Sequence, residues 1–168
     1  YFEYEDEHGE WAQSIEELFK PQFFEPHLKL LRIPTKCPDS IVKPLNESFR
    51  LFFAAPSAAS NSVRIAIEAL LTELKVKRFT VVKNQRRIIS LHQRISLLPP
   101  KYAQLKDLLT AIKWLGNAGS HDAEGISNDD VMDAYDLTEH VLTEIYAPKA
   151  KKLAALAKKV NKKKGPAK

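Results

Sequence analysis

Val63, Ile67, Leu70, Leu71 and Leu74 recur at i, i+4, i+7, i+8 and i+11, which stacks five aliphatic side chains on one side of an α-helix. A helix with such a stripe has to bury it against another element, so the rest of the chain must supply matching faces. The flanking patterns are themselves helical. "PDSIVKPLNESFRLFFA" opens on a proline and an Asp–Ser pair and suits a helix through about Phe53, with Pro44 tolerated near its first turn or at a kink. Ser57 or a neighbour is expected to cap the Val63 helix. "QRRIISLHQRISLL" reads as a third helix ending at Pro99 and Pro100, and "KYAQLKDLLTAIKWLGN" as a fourth with Leu105, Leu108, Leu109 and Ile112 on one side. A fifth starts after Ser127, where Asp130 three residues on makes a short capping box. Val131, Tyr135, Thr138, Val141, Leu142 and Ile145 form its face, and Pro148 ends it. After residue 37 only "RFTVV" looks like a strand. The expected fold is therefore all-α: an antiparallel, up-and-down bundle of four or five helices over residues 38–147.

The two ends differ from this body. Residues 1–37 are acidic and aromatic at first, then carry Pro21, Pro26 and Pro34 at intervals that break any helix. They read as a hairpin or extended arm that inserts Phe19, Phe23, Phe24 and Leu30 into the domain, or as the remnant of an upstream module. The chain opens on Tyr1 rather than Met, so a preceding segment is expected. Residues 148–168 form a basic tail with Leu153, Leu156 and Val160 at helical spacing, either an amphipathic helix or an unfolded arm. Such arms screen phosphates without reading sequence, or serve solubility alone.

A hydrophobic fraction of 44% and a charged fraction of 28% suit a globular domain with a core. No apolar run approaches the roughly 18 to 20 residues that would span a bilayer, so a cytoplasmic chain without a membrane partner is expected. Cys37 is alone, which leaves no intrachain disulfide and no Cys-x-x-Cys zinc knuckle; it reads as a structural thiol. The net charge of +5 and pI near 9.2 suggest nucleic acid until the charge is mapped. Nine lysines lie in the tail, and the other 17 basic residues face 21 acidic ones, a net of −4. Within the body, Lys75, Lys77, Arg78, Lys83, Arg86, Arg87, Arg94, Lys101 and Lys106 follow one another with no acid between them. From His121 to Tyr146 there are eight acids and no Lys or Arg. One part of the domain should be positive and another negative, unless the two segments pack together.

The chemistry concentrates in "IKWLGNAGSHD". If the fourth helix runs on by a turn, Lys113, Asn117 and His121 share one edge at i+4 steps. An ammonium, an amide and an imidazole so placed could hold a phosphodiester and move its protons. Alternatively Gly119 ends the helix in a left-handed cap, and His121 and Asp122 face water. The His121–Asp122 doublet is also similar to that of metal-dependent phosphohydrolases, but no distinctive context supplies the further His and Asp such a site needs. No metal and no cofactor are expected.

"SAASNSVRIAIEALLTEL", "LHQRISLL", "IKWLGNAGSHD" and "ISNDDVMDAYDLTEHVLTEIY" resemble, in order and spacing, the domain-of-unknown-function 4145 family of the HEPN superfamily. The resemblance covers about residues 38–146 and is most specific at the Gly-Asn-x-x-x-His run and the Arg-x-x-x-Glu helix before it. It implies a four- or five-helix domain, often dimeric, tied to nucleic-acid metabolism and bacterial defence, sometimes behind a small zinc-binding module. Ribonucleases of that superfamily use an Arg, often followed by Asn, with a His four to six residues on. Here Asn117 and His121 match the polar position and the His, whereas Gly116 stands where the Arg belongs. Lys113 lies a turn too early to replace it. Arg64, one turn from Glu68, could reach the corner from the neighbouring helix; as a pair the two would form either an exposed i,i+4 ion pair worth about 0.3 to 0.5 kcal/mol or a buried one that fixes the corner at Asn117 and His121, the expected arrangement.

Three functions follow as expectations. The first is a degenerate, non-catalytic HEPN-like module that binds RNA or a nucleotide, with Arg64, Glu68 and Lys113 as phosphate or structural support. Lys75, Lys77, Arg78, Lys83, Arg86, Arg87 and Arg94 would be its electrostatic surface, and a second copy or a defence-system protein its partner. The second is a metal-independent ribonuclease using His121 and Asn117. The third is a protein-interaction domain whose acidic fifth helix meets a basic surface.

Overall fold

A computed structural model describes residues 2–5, 11–14, 21–118, 125–147 and 149–166. Strands β1 (Phe2–Glu5) and β2 (Trp11–Ser14) pair antiparallel with Phe2 opposite Ser14, so the chain opens on a hairpin. From residue 21 an extended arm runs to Pro38, tied down where the Arg32 N–H donates to the Glu139 carboxylate at 2.6 Å. Extended backbone turns successive side chains to opposite sides, so neighbours cannot both point inward. Leu31 is buried while Leu30 packs at the edge of the core; Phe24 meets the Phe53 ring with centroids 4.9 Å apart while Phe23 is 73% exposed. The expected insertion of Phe23 is corrected accordingly, and Phe19 lies outside the described residues.

Helix α1 (Asp39–Leu51) carries Pro44 in its interior and buries Ile41, Leu45, Ser48 and Phe49. Helix α2 (Pro56–Glu73) starts on a proline at its first position, where a missing N–H costs nothing and φ is already helical. Ala55 is its N-cap residue and makes no side-chain cap, so Ser57 is not the cap. Val63, Ile67, Leu70 and Leu71 are buried as their spacing demands, whereas Leu74, just past the helix end, is partly buried.

The next segment departs from the sequence reading. Strands β3 (Phe79–Val82) and β4 (Gln85–Ile88) form a second antiparallel hairpin, Phe79 opposite Ile88, closed by Lys83 and Asn84, both at positive φ. Two-residue turns with that backbone match the twist of paired strands. The β-branched pairs Val81–Val82 and Ile88–Ile89 on either side favour strands, and the expected third helix shrinks to α3 (Leu91–Ser96). Ser90 caps it with a full capping box to Gln93. A 3₁₀ turn (Pro100–Leu105) leads into α4 (Lys106–Ala118). Helix α5 (Asn128–Tyr146) starts at the Ser127–Asp130 capping box as its sequence predicts, and α6 (Lys149–Lys163) makes the tail helical.

The molecule is an all-α bundle with α2 at its centre, packed against α1, α4 and α5. Polar groups lock the packing. The buried Ser48 hydroxyl donates to the Ala59 carbonyl at 2.7 Å and shares a 2.8 Å hydrogen bond with Tyr135, joining α1, α2 and α5. Ser60 donates to the Leu115 carbonyl at 3.0 Å, and this bond pins α2 to α4 beside the candidate site.

Candidate functional site

Helices α2 and α4 approach so closely that Gly116 lies against the stem of Arg64: a Cβ at 116 would stand 2.9 Å from the Arg64 Cβ. The glycine is thus a packing requirement, because no flexible side-chain tip could yield there. Arg64 runs past this contact to the guanidinium, which donates to Asn61 Oδ1 at 3.2 Å and to Glu68 Oε1 at 2.7 Å. The ion pair is about one-third exposed, between the two alternatives of a surface pair and a buried one. Its main effect is orientation, since a guanidinium held on two sides by its own helix keeps a fixed direction.

That direction is into a cleft of about 430 Å³. Arg64 and Glu68 line it from α2, Lys113 and Asn117 from α4, Arg78 and Ile88 from the β3–β4 hairpin, and Ser90 to His92 and Arg94 from α3 and its approach. Among the described residues, four cations and a histidine therefore surround one carboxylate, which is itself engaged by Arg64. Lys113 is only 9% exposed; its ammonium lies over the Trp114 ring, 3.0 Å from the centroid, and among the described residues it has no carboxylate partner. A buried cation without a counter-ion favours an anion beside it.

Arg94 has a different task. It is 3% exposed and donates to the Glu68 carbonyl at 3.1 Å, to Thr72 Oγ1 at 2.9 Å and to the Val76 carbonyl at 3.4 Å. Its Nε is buried without a partner. Burial pulls its pKa down, Glu68 opposing and Arg78 adding to the effect. Arg94 thus clamps α3 onto the end of α2 and belongs to the floor of the cleft, not to an outer basic surface.

The structure brings Arg64, Glu68, Lys113 and Asn117 into one site and adds Arg78. Lys75, Lys77, Lys83, Arg86 and Arg87 are exposed outside it, the last three on the hairpin. His121 and Asp122 lie outside the described residues, as does Gly119. Among the described residues no group of three or more His, Cys, Asp or Glu could hold a metal ion, and no helix is long and apolar enough to cross a membrane. Sequence reasoning missed Ile88, Ser90 and His92 as site residues, because starting the third helix at Gln85 put Ile88 and Ser90 inside a helix and hid that His92 lies in its first turn; the two-residue loop at 83–84 was the available signal.

No curated protein and no solved structure matches the chain. The model of the family described as "Domain of unknown function (DUF4145)" matches residues 46–163, from within α1 through α6, and the chain belongs to that family.

Proposed function

We propose that this chain is a HEPN-like helical module that binds RNA through the phosphate groups of its backbone, without catalysis of its own, in a bacterial defence or nucleic-acid-processing protein. One observation carries the reading: Arg64, Arg78 and Lys113 converge on a cleft whose only acid among the described residues, Glu68, is already paired. Such a site suits a phosphate, and three cations from three separate elements suit several oxygens of one strand better than a lone ion. The helical bundle and the position of Asn117 at the end of α4 support the HEPN-like placement. Gly116 supports the non-catalytic reading, because the arginine of the ribonuclease motif cannot enter without displacing Arg64. Fluorescence anisotropy with labelled single-stranded RNA at low salt tests this. Arg64→Ala and Lys113→Ala should each weaken binding about tenfold, the worth of a hydrogen bond to a charged group. Binding that ignores both substitutions would remove the cleft from consideration.

A second reading has one observation in its favour. Asn117 and Arg64 line the same cleft, and His121 follows Asn117 by four residues. Arg64 would then hold the scissile phosphate in place of the missing arginine and His121 would act as acid or base. RNA cleavage that persists in a metal chelator and disappears in His121→Ala would establish a ribonuclease and overturn the non-catalytic reading.

A further inference from the structure

The β3–β4 hairpin exposes apolar side chains that a bundle of this size has no need to leave in water: Ile88 is 80% exposed and Val81 69%. Its register explains where they point. Phe79 pairs with Ile88 and Val81 with Arg86, so these four project from one face, and Thr80, Val82, Gln85 and Arg87 from the other. The second face is turned toward α3, where Thr80 borders a shallow groove with Gln93, Ser96 and Leu97. The first face adjoins the cationic cleft, because Ile88 lines both. On it the Arg86 guanidinium stacks over the Phe79 ring, 3.7 Å from its centroid, and Arg78 approaches the same ring at 5.8 Å. The result is an apolar and planar surface edged by positive charge. Lys77, Arg78, Lys83 and Arg86 supply that charge, and no acid occurs anywhere from 74 to 106.

We infer that the Phe79, Val81, Arg86, Ile88 face is a stacking platform for unpaired bases, and that it extends the cleft into a track for single-stranded RNA. This rests on the reading of the cleft as a phosphate site. Charge complementarity and continuity with the cleft select the occupant. A strand whose phosphates lie on Arg64, Arg78 and Lys113 leaves its next bases over the hairpin, where a guanidinium held against Phe79 offers a π-stacking partner. A duplex keeps its bases stacked internally and has none to give, so the platform discriminates for single strands.

Anisotropy titrations with a labelled single-stranded RNA, the same sequence in a blunt duplex, and inorganic phosphate as competitor separate the possibilities. Arg86→Lys keeps the charge and removes the planar group, and Val81→Thr with Ile88→Thr removes the apolar surface while keeping strand-forming side chains. Circular dichroism on each variant checks that the fold is retained. Each is expected to weaken single-strand binding about tenfold, leave duplex binding and the salt slope unchanged, and leave phosphate competition at the cleft intact. Loss of binding in Arg64→Ala but not in the hairpin variants would overturn the platform and leave the cleft. Loss in the hairpin variants alone would overturn the cleft reading and, with it, the proposed track. Equal affinity for duplex and single strand, or hairpin variants that only turn a dimer into a monomer on size-exclusion chromatography, would overturn the platform as well.

Discussion

At residue scale Gly116 carries the most information. Its Cα–H side is occupied by Arg64, so Gly116→Ala should cost about 1–3 kcal/mol, the usual cost of overpacking, although alanine is the better helix former. Chemical denaturation measures it; an unchanged or higher midpoint would show that α2 and α4 can separate freely. Tyr135 makes a second residue-scale prediction. Burial pushes its pKa up to about 12, with the Ser48 hydrogen bond partly opposing. The unfolded phenol ionises near 10, so Tyr135 contributes fully below about pH 10 and its contribution fades as pH rises through 12, by about 2–3 kcal/mol in all. Cys37, pushed up to about 11 by burial and then by Glu73, loses its share over a lower range that starts near 8.5. Tyr135→Phe should cost about 1 kcal/mol at neutral pH through the lost Ser48 bond and reduce the upper part of the alkaline loss, leaving in place the part due to Cys37 and that due to Tyr146, whose pKa burial also raises. Denaturation curves at stepped alkaline pH read both effects.

At element scale the capping boxes and the hairpin decide what moves. Ser127 accepts from the Asp130 N–H at 3.1 Å, and the Asp130 carboxylate accepts from the Ser127 N–H at 2.9 Å. The Ser127 side chain and then its backbone hold the Asp130 carboxyl below its usual pKa. A depressed carboxyl stabilises the fold above the ordinary value near 4 and loses that contribution as pH falls below it. Ser127→Ala should therefore lower stability by about 1 kcal/mol at neutral pH, with a smaller difference from the parent in acid. The capping boxes of α3 and α5 can be read from sequence because their partners are three residues apart; that of α3 went unread because its helix was placed too early. Strand β4 was read as helix for a related reason, although "RFTVV" beside it was read as a strand. Gln85, Arg86 and Arg87 are all polar and only Ile88 is apolar, so no alternation marks a strand there, and the pairing with residues 79–82 is what makes them one.

At the scale of the whole molecule, charge is segregated. The cations of the cleft and hairpin lie on α2, α4 and the intervening segment, whereas α5 exposes Asp129, Asp133, Asp136 and Glu144. Cationic α6 follows α5. If RNA is the ligand, removing residues 149–168 should reduce the slope of log affinity against log salt, each lost phosphate contact on a single strand accounting for about 0.7. The contrast between parent and Arg64→Ala should survive the truncation. A truncated chain that binds no RNA, even at low salt, would place the affinity in the tail and not in the cleft.

The apolar periodicities of residues 39–51, 56–73 and 128–146 determined by themselves that the chain would be a helical bundle, because local spacing alone sets which face of a helix must be buried. The Gly-Asn corner and the Arg64–Glu68 spacing were likewise legible, as each is a relation within one helix. Only the tertiary structure decided that Gly116 is glycine because α2 crosses there, and that Arg64 and Lys113, 49 positions apart in the sequence, share a cleft. It also decided that Arg94 lies inside and Arg86 outside. Two lysines or arginines in one basic run look alike until packing sets the solvent each one meets, and that depends on which helices come together.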